Sequence, residues 1–281
     1  MAMVNASDPF RQADLERIKR LRLLDDIFMR VVLKGNIPAV QLIIRIILKR
    51  NDIEVIEVRV QDDWPNLVGH GVRLDVTARD SSGGWYNIEI ERSAEGANPK
   101  RARYNLGALD WHILPAGAEY SDLPEVYIIF ITETDVLGKG LPIYTIDRTI
   151  RETGESFNDF AHILYANGAY VADDEIGRLM ADFRETDPKK MFYAPLADKA
   201  RFYKTTEGGL NAMCKIMEDV RQEGIERGIE IGIQQGRAQM VDTLLISNSE
   251  DTLLYNDMFR GLRITPDEIR ASRARLRLNP Q

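Results

Sequence analysis

Apolar positions open the chain at helical spacing. Leu21, Leu24, Phe28, Val31 and Val32 fall on one stripe and predict a helix over 14–34, with a second over 37–50 where Pro38 sits in the tolerant first turn. From Ile53 the period changes to two: "IEVIEVRV" reads as a strand, and further strands are expected at 71–79, 84–91 and 125–132. Between the last two, "NPKRARYNLGALDWHIL" predicts a helix with Asn98 as N-cap and Pro99 at its first position. "EVYIIFI" is apolar enough for a central strand buried on both faces. The expected class is α/β, a mixed central sheet flanked by helices with a mainly helical C-terminal extension.

Three regions follow from this pattern: a core over 14–150, an extension over 151–222 packed on it, and a helical region over 223–281. The extension opens with turn signals and a short hairpin in "ETGESFNDFAHILYANGAY" and turns helical from Asp174. In the last region Gly224, Gly228, Gly232 and Gly236 recur every four residues on one helix face. Each costs about 1 kcal/mol relative to alanine in a helix. The face therefore reads either as close packing against another helix, a homo-oligomer contact included, or as a frayed linker. Thr265-Pro266-Asp267-Glu268 is a capping box that starts a final helix.

At 281 residues, 44% hydrophobic and 29% charged, the chain has the composition of a globular protein. The net charge is −7, yet the first fifty residues hold ten Lys or Arg against five acids, and Lys100, Arg101 and Arg103 form a second basic run. Cys214 is the only cysteine, which excludes an intramolecular disulfide and a cysteine-built zinc site and fits a reducing cytoplasm. The N-terminus lacks a signal-peptide apolar stretch and no run is long enough to span a bilayer, so a cytoplasmic protein without membrane contact is expected. His70, His112 and His162 show no metal spacing, and no phosphate-binding glycine loop occurs.

Candidate chemistry concentrates in "RLDVTARDSSGGWYNIEIER", residues 73 to 92. Strand alternation puts Arg73, Asp75 and Thr77 on one face of the first strand and Leu74, Val76 and Ala78 on the other. Trp85, Asn87, Glu89 and Glu91 share a face of the second. With Ser81-Ser82-Gly83 as the tight loop and Gly83 at positive φ, Asp80 faces Gly84 and Asp75 faces Glu89. Like charges opposed on a sheet destabilise it unless something positive lies between them. A divalent cation with oxygen ligands, magnesium foremost, meets that demand and could activate water against a phosphodiester. Acids on a solvent face, partnered by Arg73 or Arg92, are the plain structural alternative.

The same stretch resembles the PD-(D/E)XK nuclease motif. "NIEIERSAEGANPKRARYNLGALDWHIL", "YIIFITETDVLGKGLPIYTIDRTI", "HILYANGAYVADDEIGRLMADF" and "TTEGGLNAMCKIMEDVRQEG" resemble the bacterial PD-(D/E)XK family transposases, also described as recombination-promoting nucleases. The likeness covers roughly residues 20 to 235 and implies a restriction-endonuclease-like core. It implies Asp75 and Glu89 as metal ligands, joined by Asp25 of "LLDDIFMRV" with Asp26 as the alternative. It also implies that Arg101 and Tyr104 hold DNA or support the acids. Glu91 stands where the superfamily has lysine and this branch usually has glutamine. Glu91 could bind metal, act as general base, or leave the cation to Lys100 or Arg101. The expected activity is a magnesium-dependent DNA endonuclease, with manganese as a substitute ion and Asp75, Glu89 and Glu91 as catalytic acids. The competing expectation is a nuclease fold that lost its chemistry and kept DNA or protein association.

Overall fold

The structure is a computed structural model that describes residues 9–64, 72–255 and 260–277. Contacts divide the chain into two compact units, one up to Cys214 and one from Lys215.

In the first unit α1 (Pro9–Arg20) and α2 (Asp26–Leu33) occupy the stretch whose apolar stripe predicted one helix over 14–34. The stripe is buried as expected, but the helix breaks at residues 21–25. Lys204 reaches in from α6 (Ala194–Thr205) and donates from Nζ to the carbonyls of Lys19 and Leu21. The Leu24 N–H bonds the Phe183 carbonyl and the Arg22 N–H bonds the Asp25 carboxylate. Partners from distant segments thus take groups that a continuous helix would have paired internally.

Helix α3 (Ile37–Leu48) starts as its sequence indicates, with the Asn36 side chain accepting the Ala39 N–H and Pro38 in the first turn. Its Gln41 accepts the Val55 N–H and its Arg45 donates to the Ile53 carbonyl, which ties the helix to the first strand.

Six strands form one mixed sheet: β1 (Val55–Trp64), β2 (Val72–Asp80), β3 (Trp85–Glu91), β4 (Val126–Thr132), β5 (Ile143–Ile146) and β6 (Ala161–Asn167). Their order is β1-β2-β3-β4-β6-β5. The first three are antiparallel, β3, β4 and β6 run parallel, and β5 returns antiparallel on the edge. The parallel step from β3 to β4 requires a crossover, supplied by α4 (Pro99–Ile113), whose N-cap Asn98 accepts the Lys100 N–H. Strand β4 is buried along its whole length, as its apolar run predicts.

Beneath α4, Ala102, Leu106 and Leu109 pack on Val126, Ile128, Phe130 and Tyr165. Tyr127 points to the opposite face and meets Arg50, just beyond α3. Helices therefore cover both faces. The sheet continues past residue 150 through β6, and α5 (Glu175–Arg184) packs on α3.

One alternation fails. Leu74 packs with Leu106 and Leu109, on the side that Asn87 and Glu89 face, instead of following Val76 and Ala78. The β2–β3 ladder stops at the Val76–Ile88 pair, and Gln61 on β1 sits at φ 54°, so the strand kinks where Asp75 begins.

Helix α7 (Glu207–Ser247) contains the division between the units. In the second unit Val241 and Leu245 of α7 pack with Leu253 of α8 (Glu250–Tyr255) and with Ile264 and Ile269 at the start of α9 (Pro266–Leu276). The Thr265 capping box forms in full. Gly224, Gly228, Gly232 and Gly236 lie along an exposed stretch of α7, where added Cβ atoms would meet nothing described within 4 Å. Among the described residues no single helix is long and apolar enough to cross a membrane.

Candidate active site

The site is built where the β2–β3 hairpin opens. Gly83 supplies the positive φ of the loop, at 95°, and Asp80 anchors it by accepting the Gly84 N–H at 2.8 Å. The resulting register pairs Thr77 with Asn87 and Val76 with Ile88, so Asp75 comes opposite Glu89. The ladder ends there, and the two carboxylates take over from backbone carbonyls as acceptors. Glu89 Oε1 accepts the Asp75 N–H at 3.1 Å, and Asp75 Oδ2 accepts the Ile90 N–H at 3.1 Å. Each acid is thereby locked to the other's strand.

Glu89 is fully buried. Its Oε1 also accepts from Asn87 Nδ2 at 2.8 Å, and Asn105 of α4 stands behind Asn87 at 3.5 Å. Burial, then the Asp75 carboxylate, pushes Glu89 up to about 7, against the pull of Asn87 and Arg101. Burial likewise raises Asp75, against the Ile90 N–H and the charges of Arg101 and Arg30.

Arg101, in the first turn of α4, is the cation of this site. Its Nη2 donates to Glu89 Oε2 at 2.6 Å and its Nη1 to Glu91 Oε2 at 2.9 Å and to the Gly96 carbonyl at 3.1 Å. The guanidinium lies over the Phe130 ring, 5.8 Å from its centroid. Glu91 is held in turn by the Ser93 N–H at 3.0 Å. A Cβ at position 96 would collide with the Glu91 carboxylate, so only glycine leaves the space this contact occupies.

The structure thus brings Asp75, Glu89, Glu91 and Arg101 together and leaves the remaining sequence candidates elsewhere. Asp25 belongs to a separate ion-pair ring. Its Oδ1 accepts from Arg92 at 3.0 Å, and Glu133 accepts from Arg92 and Arg22, each at 2.8 Å. Asp26 pairs with Arg30 one turn along α2. Lys100 is exposed with its backbone N–H on Asn98, and Tyr104 stands on the outer face of α4. Among the described residues no group of three or more His, Cys, Asp or Glu side chains is arranged to hold a metal ion. Trp85 packs against the α4 cluster, and His162 Nδ1 lies 2.7 Å from Asp147. His112 lies edge-on to Trp111, and His70 lies outside the described residues.

Sequence reasoning missed Asn87, Asn105 and Arg30. Asn87 carried a signal, since an amide between two strand acids on the same face has few uses but to donate to them. Arg30 sits four residues after Asp26, a helical neighbour of the acid already singled out. Comparison with family models, with curated proteins and with solved structures finds no match to this chain.

Proposed function

We propose that the chain is a magnesium-dependent endodeoxyribonuclease of the recombination-promoting type, hydrolysing phosphodiester bonds in DNA. One observation carries this reading: Asp75 and Glu89 oppose each other at the end of a ladder, their charged forms both disfavoured by burial. A fold spends stability on such a pair when a cation is to share it. The mixed sheet flanked by helices, with three antiparallel strands, a crossover helix and a parallel strand, is compatible with the core that the nuclease resemblance implies.

Asp75 and Glu89 would be the oxygen ligands of a hard divalent ion, magnesium first and manganese as a substitute, with Arg101 giving up part of its hold on Glu89. When bound, such an ion polarises a phosphoryl oxygen and lowers the pKa of a coordinated water. The chain supplies the rest. The N–H groups of Asp75 and Ile90 and the Asn87 amide fix the carboxylates before substrate arrives. Arg101 donates toward the charge that develops on phosphate, in the role a motif lysine would have. Glu91 acts through Arg101 as a positioning residue, its carboxylate already engaged by Arg101 and Ser93.

Arg101 also favours a second reading. Its charge already lies between Glu89 and Glu91, so a fold with this ion pair could bind DNA without cleaving it. Supercoiled plasmid incubated with magnesium or with chelator, beside Asp75→Asn, separates the two. Nicking that needs both magnesium and Asp75 is the expected result. Intact plasmid, with no magnesium binding by calorimetry, overturns the nuclease reading in favour of the binding module.

A further inference from the structure

We propose that the outer face of α4 is a stacking platform for single-stranded DNA, with Tyr104 and Trp111 taking bases and Lys100 and Arg103 taking phosphates. This rests on the nuclease reading and adds a contact for unpaired stretches of its DNA beside the site.

Ala102, Asn105, Leu106 and Leu109 form the buried face of α4. Lys100, Arg103, Tyr104, Gly107 and Trp111 recur at helical spacing on the opposite face, and all are exposed. Trp111 is 63% exposed and Tyr104 43%, so both present ring surface to solvent, Trp111 with His112 edge-on to it. Seven residues of helix separate the two Cα positions by about 10.5 Å along the axis. Gly107 lies between them in sequence, and a Cβ there would meet nothing within 4 Å, so the helix surface between the two positions is open. Base planes about 3.4 Å thick fit that gap.

The charge of this face selects a polyanion. Among the described residues of α4, Lys100 and Arg103 are the charged groups on this face, with His112 beside Trp111, while Asp110 lies to one side, half-buried, its carboxyl pushed up by burial. Aromatic rings facing solvent stack on bases only where the base faces are open, which duplex DNA does not offer. Lys100 adjoins Arg101, so a strand lying along the face runs onto Glu89 and Glu91.

The test is fluorescence anisotropy of a labelled oligothymidine, in chelator so that nothing is cut, with the full chain and with Trp111→Ala, Tyr104→Ala and Trp111→Phe. Each alanine variant should lose about tenfold in affinity, the scale of one stacked base. Trp111→Phe should retain most of it, and the matching duplex should bind at least about tenfold more weakly than the single strand. Equal affinity for duplex and single strand, or for an abasic oligonucleotide, would overturn the platform in favour of a plain electrostatic patch. So would unchanged binding by Trp111→Ala. Tighter binding of oligouridine would overturn the assignment to DNA, and self-association lost in Trp111→Ala would make the face a contact between copies. Plasmid nicking is read separately, so failure of the platform and failure of the nuclease reading remain distinguishable.

Discussion

Arg101 Nη2 stands 2.6 Å from Oε2 of Glu89, so the most buried acid of the site receives its counter-charge from α4 and not from its own strand. Glu91, at the position where the nuclease resemblance would put a lysine, holds this arginine, so the positive charge comes from α4 instead of from β3. Arg101→Ala should lower plasmid nicking at least about 100-fold, as loss of one preorganised donor does. Glu91→Lys in that background should recover part of the activity, because a lysine on β3 then stands beside Glu89. Initial nicking rates of the two variants decide it: a double variant no faster than Arg101→Ala rejects that role for the charge.

Glu89 should make the metal-free protein less stable as pH rises. Burial and Asp75 lift its pKa to about 7 from 4.5, so the folded state binds a proton that the unfolded chain releases. The stabilisation is complete below about 4.5 and is lost as pH climbs through about 7. Chemical denaturation in chelator across that window should show the decline in wild type. In Glu89→Gln, which keeps an acceptor for Asp75 N–H, the decline should be markedly shallower. Parallel pH profiles for the two proteins would contradict the assignment.

Asp75→Asn isolates charge from hydrogen bonding. The amide oxygen can still accept from the Ile90 N–H, while the charge facing Glu89 disappears. Relief of a like-charge pair should leave the metal-free protein as stable as wild type or up to about 1 kcal/mol more stable. Nicking should be abolished. A stability gain with full activity would show that Asp75 is not a ligand, whereas a loss of several kcal/mol would show that the carboxylate is structural.

Glu91 depends on position 96. Gly96→Ala places a methyl group where the Glu91 carboxylate lies, and should release Arg101 from one of its two acids without touching either. Nicking should fall by about tenfold or more while Glu91→Gln in the same background causes no further loss, since the pair acts as one unit. Additive losses would separate the glycine from the pair.

What could be read from the sequence was local. The Asp75–Glu89 opposition follows from one loop, because Gly83 at positive φ fixes the register and period two does the rest. The N-cap at Asn98 and the box at Thr265 were equally legible from their side chains. The break at residues 21–25 was not, because its causes, Phe183 and Lys204, lie about 160 to 180 residues along the chain. Alternation puts Leu74 on the wrong face because it assumes that a ladder continues, and this one stops before Asp75. Arg101 was a candidate cation by proximity in sequence, but its simultaneous grip on Glu89 and Glu91 depends on how α4 lies over the sheet.

Lys204 should report on that break. Its ammonium is buried, lies 4.9 Å from the centroid of the Phe28 ring, and donates to the carbonyls of Leu21, Lys19 and Thr186. Burial holds its pKa at about 8, below the usual 10.5. The folded state therefore gives up its proton before the unfolded chain does, and this contribution to stability grows as pH rises from about 8 to 10.5. Lys204→Met fills similar space but leaves buried carbonyls without a donor, and should cost about 2 kcal/mol at neutral pH. The gap between wild type and variant should widen through the alkaline window, since only wild type carries the titrating group. Denaturation midpoints at neutral pH and above 10 give both numbers; a gap that stays constant would mean that the lysine sits in water, and that the helix breaks at residue 21 for some other reason.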